Sequence, residues 1–160
     1  ANNVSVNWLL VTGMSTDVGY SSEQIQSRKA QIKKVSQAYN FAQTIELEFP
    51  PARLDTIPKA DIVASISRVI QDIKPEVVYT VYRNDVHSDH EIVFDAVISA
   101  TKTFRAPFIK RIMAYETISE TDFSLKPEGL GFRPNSCLVY TSDTSEYRLR
   151  GAYIVLRTYR

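Results

Sequence analysis

The chain has 160 residues, of which 44% are hydrophobic and 23% charged, and its formal net charge is +1. This near-neutral balance gives no electrostatic case for binding nucleic acid or an acidic membrane surface, and the apolar runs are too short to span a bilayer. The length is most simply that of a single domain over residues 1–160, long enough to bury a core.

The hydrophobic pattern alternates along the chain between the period of strands and the period of helices. The predicted elements are, in chain order, a strand at 4–12, a helix from Ser21 or Ser22 to about Asn40, a strand at 44–49, a helix at 59–73, a strand at 76–82, a helix from about Asp89 to Phe104, and strands at 108–115 and 137–140. The inward face of the first helix is predicted to carry Ile25, Ile32, Val35 and Tyr39. Residues after 140 are predicted as a mixture of helix and strand.

Strands that alternate with helices of this length predict βαβ units, and therefore an α/β fold with a mainly parallel sheet covered on both faces. In such folds ligands bind outside the carboxyl ends of the strands. The loops at 13–20, 49–58 and 83–88 occupy that edge, and the third loop leads into the only two histidines of the chain.

The segment NDVHSDHEIV, residues 84–93, places Asp85 and Asp89 around His87 and His90. The positive end of a helix lowers the pKa of a nearby imidazole and so favours the neutral form that binds metals. Either aspartate could accept a hydrogen bond from a ring N–H and so fix the tautomer of that ring.

Ser88 to Glu91 also matches the S-x-x-E capping box, which predicts Ser88 as the helix N-cap and His90 in the first turn. Three interpretations of the segment stay open: a metal site, a metal-free acid–base pair, and a capped helix with surface histidines. A catalytic zinc takes three protein ligands, and this segment offers one or two.

The segment NDVHSDH resembles the NDxHPDH motif of the LmbE-like, or PIG-L, zinc-dependent N-deacetylases, with Ser88 in place of the usual proline. Further segments resemble the family in the same order: LLVTG, SRKAQIKKVSQAYNF with Gln31 where glutamate is usual, KPEVVYT, YETIS and FRPN. The resemblance covers roughly residues 4–143 and implies a Rossmann-like, three-layer α/β domain.

The resemblance also implies an activity, the hydrolysis of the acetamide of an N-acetylglucosamine-type sugar or sugar conjugate with Zn2+ as cofactor. His90 matches the third zinc ligand, and His87 matches the histidine that stabilises the oxyanion or protonates the leaving amine. Asp89 would orient His87, and Arg28 and Asp85 are candidates for binding the substrate. The implied partner is this small molecule, and homo-oligomer formation stays open.

One motif of the family, A-H-P-D-D-E, is absent from the chain, although it supplies two zinc ligands and the general base in the family. We expect that this segment precedes Ala1 in a longer protein and that the region near the C-terminus is abridged. The alternative is a catalytically inactive carbohydrate-binding or scaffold relative. The single cysteine, Cys137, excludes an internal disulfide and fits a reducing compartment, so we expect a cytoplasmic protein.

Overall fold

The computed structural model describes residues 4–123, 131–136 and 153–159. The strands are β1 (Val4–Thr12), β2 (Gln43–Phe49), β3 (Val77–Val81), β4 (Arg111–Tyr115) and β5 (Tyr153–Tyr159). The helices are α1 (Ser22–Ala38), α2 (Lys59–Ile73), α3 (Ser88–Ala100) and the short α4 (Ile118–Thr121). None of the helices in these described ranges is long and apolar enough to cross a membrane.

The five described strands form one sheet in the order β2-β1-β5-β3-β4. β1 pairs with β2, and β3 with β4, in parallel. β5 lies between these pairs and runs antiparallel to both β1 and β3. The predicted mainly parallel α/β sheet is confirmed, since four strands point the same way. The insertion of the tail as a central strand of opposite direction was not predicted, because an apolar run indicates burial but not direction.

Helices cover both faces of the sheet. On one face Leu9 of β1 and Leu156 of β5 pack with the buried residues of α2 and α3. On the other face Trp8 and Leu10, the neighbours of Leu9 in β1, pack with two buried residues of α1, Ile32 and Val35. Because successive residues of a strand point to opposite faces, this alternation produces the three layers that the Rossmann-like resemblance implied.

The second helix matches its prediction at both ends, because two strong signals agree. Ile62, Ile66 and Ile70 recur every four residues and are fully buried, which gives α2 a narrow apolar face. The helix ends at Ile73, and its C-cap Lys74 has a left-handed backbone with φ of 51° directly before Pro75. Proline disfavours the α conformation in the residue before it, so the helix stops there.

The observed ends of the first and third helices differ from the predicted ends. The Ser21 cap of α1 is confirmed, and Gln24 completes a capping box with it. The inward position predicted for Tyr39 is wrong: α1 ends at Ala38, and the Tyr39 side chain is 44% exposed and stacks on Phe41. α3 ends at Ala100 instead of Phe104, which is 78% exposed.

The predictions for the later part of the chain are tested only in part. β4 begins at Arg111 and is therefore shorter than the strand predicted over 108–115. The strand predicted at 137–140 lies outside the described residues.

Candidate functional site

The loops after β1 and β2 meet at the carboxyl edge of the sheet, as the strand order predicts. The Gly13 N–H donates a hydrogen bond of 2.9 Å to the Phe49 carbonyl, and this contact joins the two loops. A Cβ on Gly13 would lie 3.1 Å from the Cα of Glu48, so a larger residue would have to displace the end of β2 by a few tenths of an ångström. Glycine at this position therefore permits the close approach of the first two loops.

The third loop enters α3 through His87, which is the N-cap of the helix. His87 has an extended backbone, and its ring Nδ1 accepts a hydrogen bond of 3.2 Å from the Asp89 N–H. The predicted capping box is wrong: Ser88 is already helical, so it cannot act as the cap. Glu91, the predicted second partner of that box, instead pairs with Arg83 at 2.9 Å.

The cap determines which nitrogen of the neutral His87 ring carries the proton. A backbone N–H can only donate, so Nδ1 of His87 must present its lone pair to Asp89. The proton of the neutral ring is then on Nε2. His87, which is half-buried, therefore offers an N–H donor from the far side of its ring.

His90 has the opposite arrangement. Its Nδ1 lies 2.7 Å from Oδ2 of Asp85, and the two side chains are almost completely buried. An ionised carboxylate can only accept, so Nδ1 of His90 carries the proton and Nε2 keeps the lone pair. The His90 and His87 rings stack with centroids 5.2 Å apart and planes inclined by 20°. His87 thus offers an N–H donor at Nε2, and the neighbouring ring of His90 offers a lone pair at its own Nε2.

Asp85 is held inside the protein at both oxygens. Oδ1 accepts a hydrogen bond of 2.6 Å from the hydroxyl of Thr121, while Oδ2 faces His90. Asp85 is only 1% exposed, and in this arrangement both of its carboxylate oxygens face protein groups. Its contact with a substrate stays a prediction. Thr121 was missed by the sequence reasoning, because it lies 36 residues after Asp85 and just beyond the YETIS segment.

Asp89 connects α3 to the second loop. Its carboxylate accepts hydrogen bonds from the backbone N–H groups of Ala52, at 2.7 Å, and Leu54, at 3.3 Å. In the described hydrogen bonds, the group that links Asp89 to His87 is its backbone N–H and not its carboxylate. The geometry therefore gives Asp89 a loop-anchoring role, whereas the resemblance implied that its carboxylate orients His87.

A charged cluster on the third loop and α3 surrounds Asp95. Arg83 Nε donates to Oδ1 of Asp95 at 2.8 Å, and Lys59 Nζ donates to Oδ2 at 3.0 Å. The hydrogen bond from Arg83 is the main cause that lowers the pKa of Asp95, and the same bond raises the pKa of Arg83. Through this carboxylate the start of α2 and the third loop are both attached to α3.

An open groove of about 780 Å³ runs along β4 and reaches Tyr82 at the end of β3. The Tyr82 ring meets the Phe132 ring edge to face, with centroids 5.1 Å apart. Lys110, Arg111 and Arg133 also line the groove. Arg111 and Arg133 can pair with an anionic group of a ligand, whereas Lys110 already pairs with Glu76.

Arg28, the other predicted substrate residue, is half-buried in the second turn of α1. Its place near a substrate stays a prediction.

The described residues do not by themselves fit a catalytic zinc ion. Within 4–123, 131–136 and 153–159, no group of three His, Cys, Asp or Glu side chains comes close enough together to hold a metal. His90 offers one nitrogen ligand, because Asp85 fixes its Nδ1 and leaves Nε2 available. A catalytic zinc needs three protein ligands, so the described residues contribute at most part of such a site.

The chain is similar to known proteins in sequence and in fold. The family model described as PIG-L, GlcNAc-PI de-N-acetylase, matches residues 1–101, which include Arg28 and both histidines. No curated protein matches the chain.

Among solved structures, the chain is similar to the conserved protein TT1542 from Thermus thermophilus, with a TM-score of 0.51 and 17% identity. The match covers 65% of this chain and 50% of that one, so the chain spans about half the length of that structure. At this identity the likeness concerns the fold alone.

Proposed function

The chain belongs to the PIG-L family, and from this premise we propose that it functions in zinc-dependent N-deacetylation of an N-acetylglucosamine-type sugar or sugar conjugate. The observation that carries the proposal is the stacked histidine pair, in which Nδ1 of His87 faces a backbone donor and Nδ1 of His90 faces a carboxylate. Hydrolysis of an amide requires both a donor for the developing oxyanion and a group that activates water.

His87 is the group that would face the acetyl oxygen. Its neutral ring carries the proton on Nε2, because Nδ1 accepts from the Asp89 N–H. An N–H in this position can donate to the carbonyl oxygen as negative charge develops there. This role matches the oxyanion-stabilising one of the two roles that the family resemblance implied for His87.

His90 is the proposed ligand for zinc. Burial and the Asp85 hydrogen bond hold its ring so that Nε2 presents a lone pair in a fixed direction. One histidine does not hold a catalytic zinc, so the other ligands and the general base would lie outside the described residues. The cofactor assignment therefore rests on the family and on the chemistry of this one ring.

The groove along β4 is the proposed place for the rest of the substrate. Tyr82 lines the groove and lies three residues before Asp85 along the chain, which supports this placement. Its aromatic rings offer flat surfaces on which a sugar can pack, and Arg111 and Arg133 favour a conjugate with negative charge. This supports a sugar conjugate over a free sugar. The cytoplasmic location stays a prediction from the cysteine count.

The second candidate function is that of a catalytically inactive carbohydrate-binding relative. The observation in its favour is that no three-ligand metal group occurs among the described residues. Such a protein would keep the groove and the fold but would neither bind zinc stoichiometrically nor release acetate. Metal content and turnover therefore separate the two candidates.

The experiment uses the full-length protein, with every segment that its gene encodes, dialysed against zinc. Metal content is measured by atomic absorption, and free amine is measured after incubation with N-acetylglucosamine conjugates. We expect one zinc per chain, its loss in His90→Ala, and a fall in turnover of about 10²-fold or more in His87→Ala with zinc retained. Ser88→Ala is the matched control, because Ser88 is exposed in the same helical turn. A wild-type chain that binds a sugar conjugate without zinc or turnover would establish the inactive relative instead.

A further inference from the structure

We infer that Thr121 is a positioning residue for His90, acting through Asp85. The hydroxyl of Thr121 donates to Asp85 Oδ1 at 2.6 Å, and Asp85 Oδ2 lies 2.7 Å from His90 Nδ1. Thr121, Asp85 and His90 are 8%, 1% and 2% exposed, so water does not compete for these bonds. The resemblance assigns no role to Thr121. What the held ring does for the reaction rests on the proposed function, whereas the orientation of the ring does not.

The direction of each hydrogen bond from Thr117 to His90 follows from the groups at the two ends, one of which can only donate and one only accept. The backbone N–H of Thr117 donates to Oγ1 of Thr121 at 2.9 Å and can only donate. An ionised carboxylate can only accept, so the hydroxyl proton of Thr121 points to Oδ1 of Asp85. Oδ2 of the same carboxylate accepts a hydrogen bond from Nδ1–H of His90. The carboxylate thus connects a hydroxyl in α4 to the tautomer of a ring in α3.

The short helix α4 is attached to the histidine loop by a second, independent bond. The Val86 N–H donates to the carbonyl of Glu120 at 3.0 Å. The Thr121 N–H bonds to the Thr117 carbonyl at 2.8 Å, which closes the turn and fixes the direction of the Thr121 side chain. Because α4 follows β4 directly, the position of His90 depends on the end of an edge strand as well as on its own helix.

A merely structural role for Thr121 would predict a different outcome from a positioning role. If the hydroxyl only filled space, valine, which has the same shape, would leave the His90 ring unchanged. If it orders the carboxylate, valine leaves Oδ1 of Asp85 buried without a donor, and the carboxylate rotates or takes up water. The Nδ1–H tautomer of His90 then loses its advantage, while serine, which retains the hydroxyl, preserves it.

The test is a side-chain ¹⁵N–¹H NMR measurement of the imidazoles in the metal-free full chain, at a pH where both rings are neutral. In the wild type and in Thr121→Ser we expect His90 protonated on Nδ1. In Thr121→Val we expect the ratio of Nδ1–H to Nε2–H forms to fall at least tenfold. An unchanged ratio in the valine variant overturns the inference, and so does a wild-type His90 protonated on Nε2, which needs no variant.

Zinc affinity separates this inference from the proposed function. We expect Thr121→Val to weaken zinc binding by about 10- to 100-fold, as the loss of a supporting hydrogen bond does in other metal sites, and Thr121→Ser to restore it. If the tautomer shifts as expected but the wild type binds no zinc, the positioning role stands and the deacetylase proposal fails. If zinc binds equally to the wild type and the valine variant with the same tautomer, the positioning role fails alone.

Discussion

The helices α2 and α3 pack side by side on the same face of the sheet, yet their first turns differ in kind. α2 begins after Pro58 without a side-chain cap, and its stability comes from a row of fully buried isoleucines. α3 begins with a histidine cap and buries two polar side chains, Asp89 and His90, in its first turn. Burying polar groups stabilises less than burying apolar ones, so the start of α3 is shaped by the site and not by packing.

The largest expected effect is in the apolar row of α2. Ile66 is fully buried, and Ile66→Ala should lower the free energy of unfolding by about 2–5 kcal/mol through lost apolar contacts and a cavity. Urea denaturation measures this loss. Arg68→Ala, on the exposed face of the same helix, should change stability by less than about 0.5 kcal/mol. Equal losses in both variants would mean that α2 is not held by its apolar face.

In α3 the corresponding prediction concerns Asp89. Asp89→Ala removes the acceptor for the N–H groups of Ala52 and Leu54 and should cost about 1.5–3 kcal/mol, since bonds to a charged group are strong. Amide hydrogen exchange should accelerate at both residues. Asp55→Ala, an exposed aspartate in the same loop, is the control and should leave this exchange unchanged. Continued protection of the two amides in Asp89→Ala would contradict the anchoring role.

The sequence predicts α2 better than α3, because apolar packing shapes α2 whereas polar contacts of the site shape the start of α3. The isoleucine period and Pro75 are local signals, and they predict both ends of α2. At α3 the Ser88 to Glu91 pattern indicated a capping box, but a ring nitrogen of His87 took the place of the serine hydroxyl. The order of strands and helices located the histidines correctly at the carboxyl edge of the sheet.

The remaining features depend on contacts between distant parts of the chain, which a single sequence does not reveal. Thr121 bonds to a carboxylate 36 residues earlier, and no periodicity marks it. β5 pairs with β1 across most of the chain length, and its hydrophobic run carries no information on direction. From the sequence, either Asp85 or Asp89 could support a histidine. The choice of Asp85 follows from its burial, which the same distant packing produces.

A smaller effect is expected from the charged cluster that joins the two helices. The Arg83 hydrogen bond lowers the pKa of Asp95, so its stabilising effect is present above the unfolded-state pKa of about 3.9 and is lost as the pH falls through the lower folded-state pKa. Asp95→Asn should cost about 1 kcal/mol at pH 7, because solvent screens the partly exposed cations.

Denaturant unfolding at several pH values checks this prediction for Asp95. The difference between the variant and the wild type should shrink as the pH is lowered below about 3.9. Asp72→Asn, an exposed aspartate of α2, should show little difference at any pH. A difference for Asp95→Asn that stays constant through the acid range would exclude the ionised carboxylate as its cause.

The smallest expected effect is at the end of α2. Lys74 has φ of 51°, a left-handed conformation that is strained for a residue with a side chain. Lys74→Gly should therefore raise the free energy of unfolding by about 0.5–1 kcal/mol, measured by thermal or urea unfolding. Lys102→Gly, just beyond the end of α3 and without a positive φ, should instead be neutral or slightly destabilising. A loss of stability in Lys74→Gly would contradict the strain.

The central claim is that the stacked rings of His87 and His90, at the start of α3, hold their protons on opposite nitrogens. This prepares His87 as a hydrogen-bond donor and His90 as a metal ligand. The chain has only two histidines, so a single long-range ¹⁵N–¹H spectrum of the neutral wild-type protein reports on both. We predict a proton on Nε2 of His87 and on Nδ1 of His90. Two rings with the same tautomer would contradict the account.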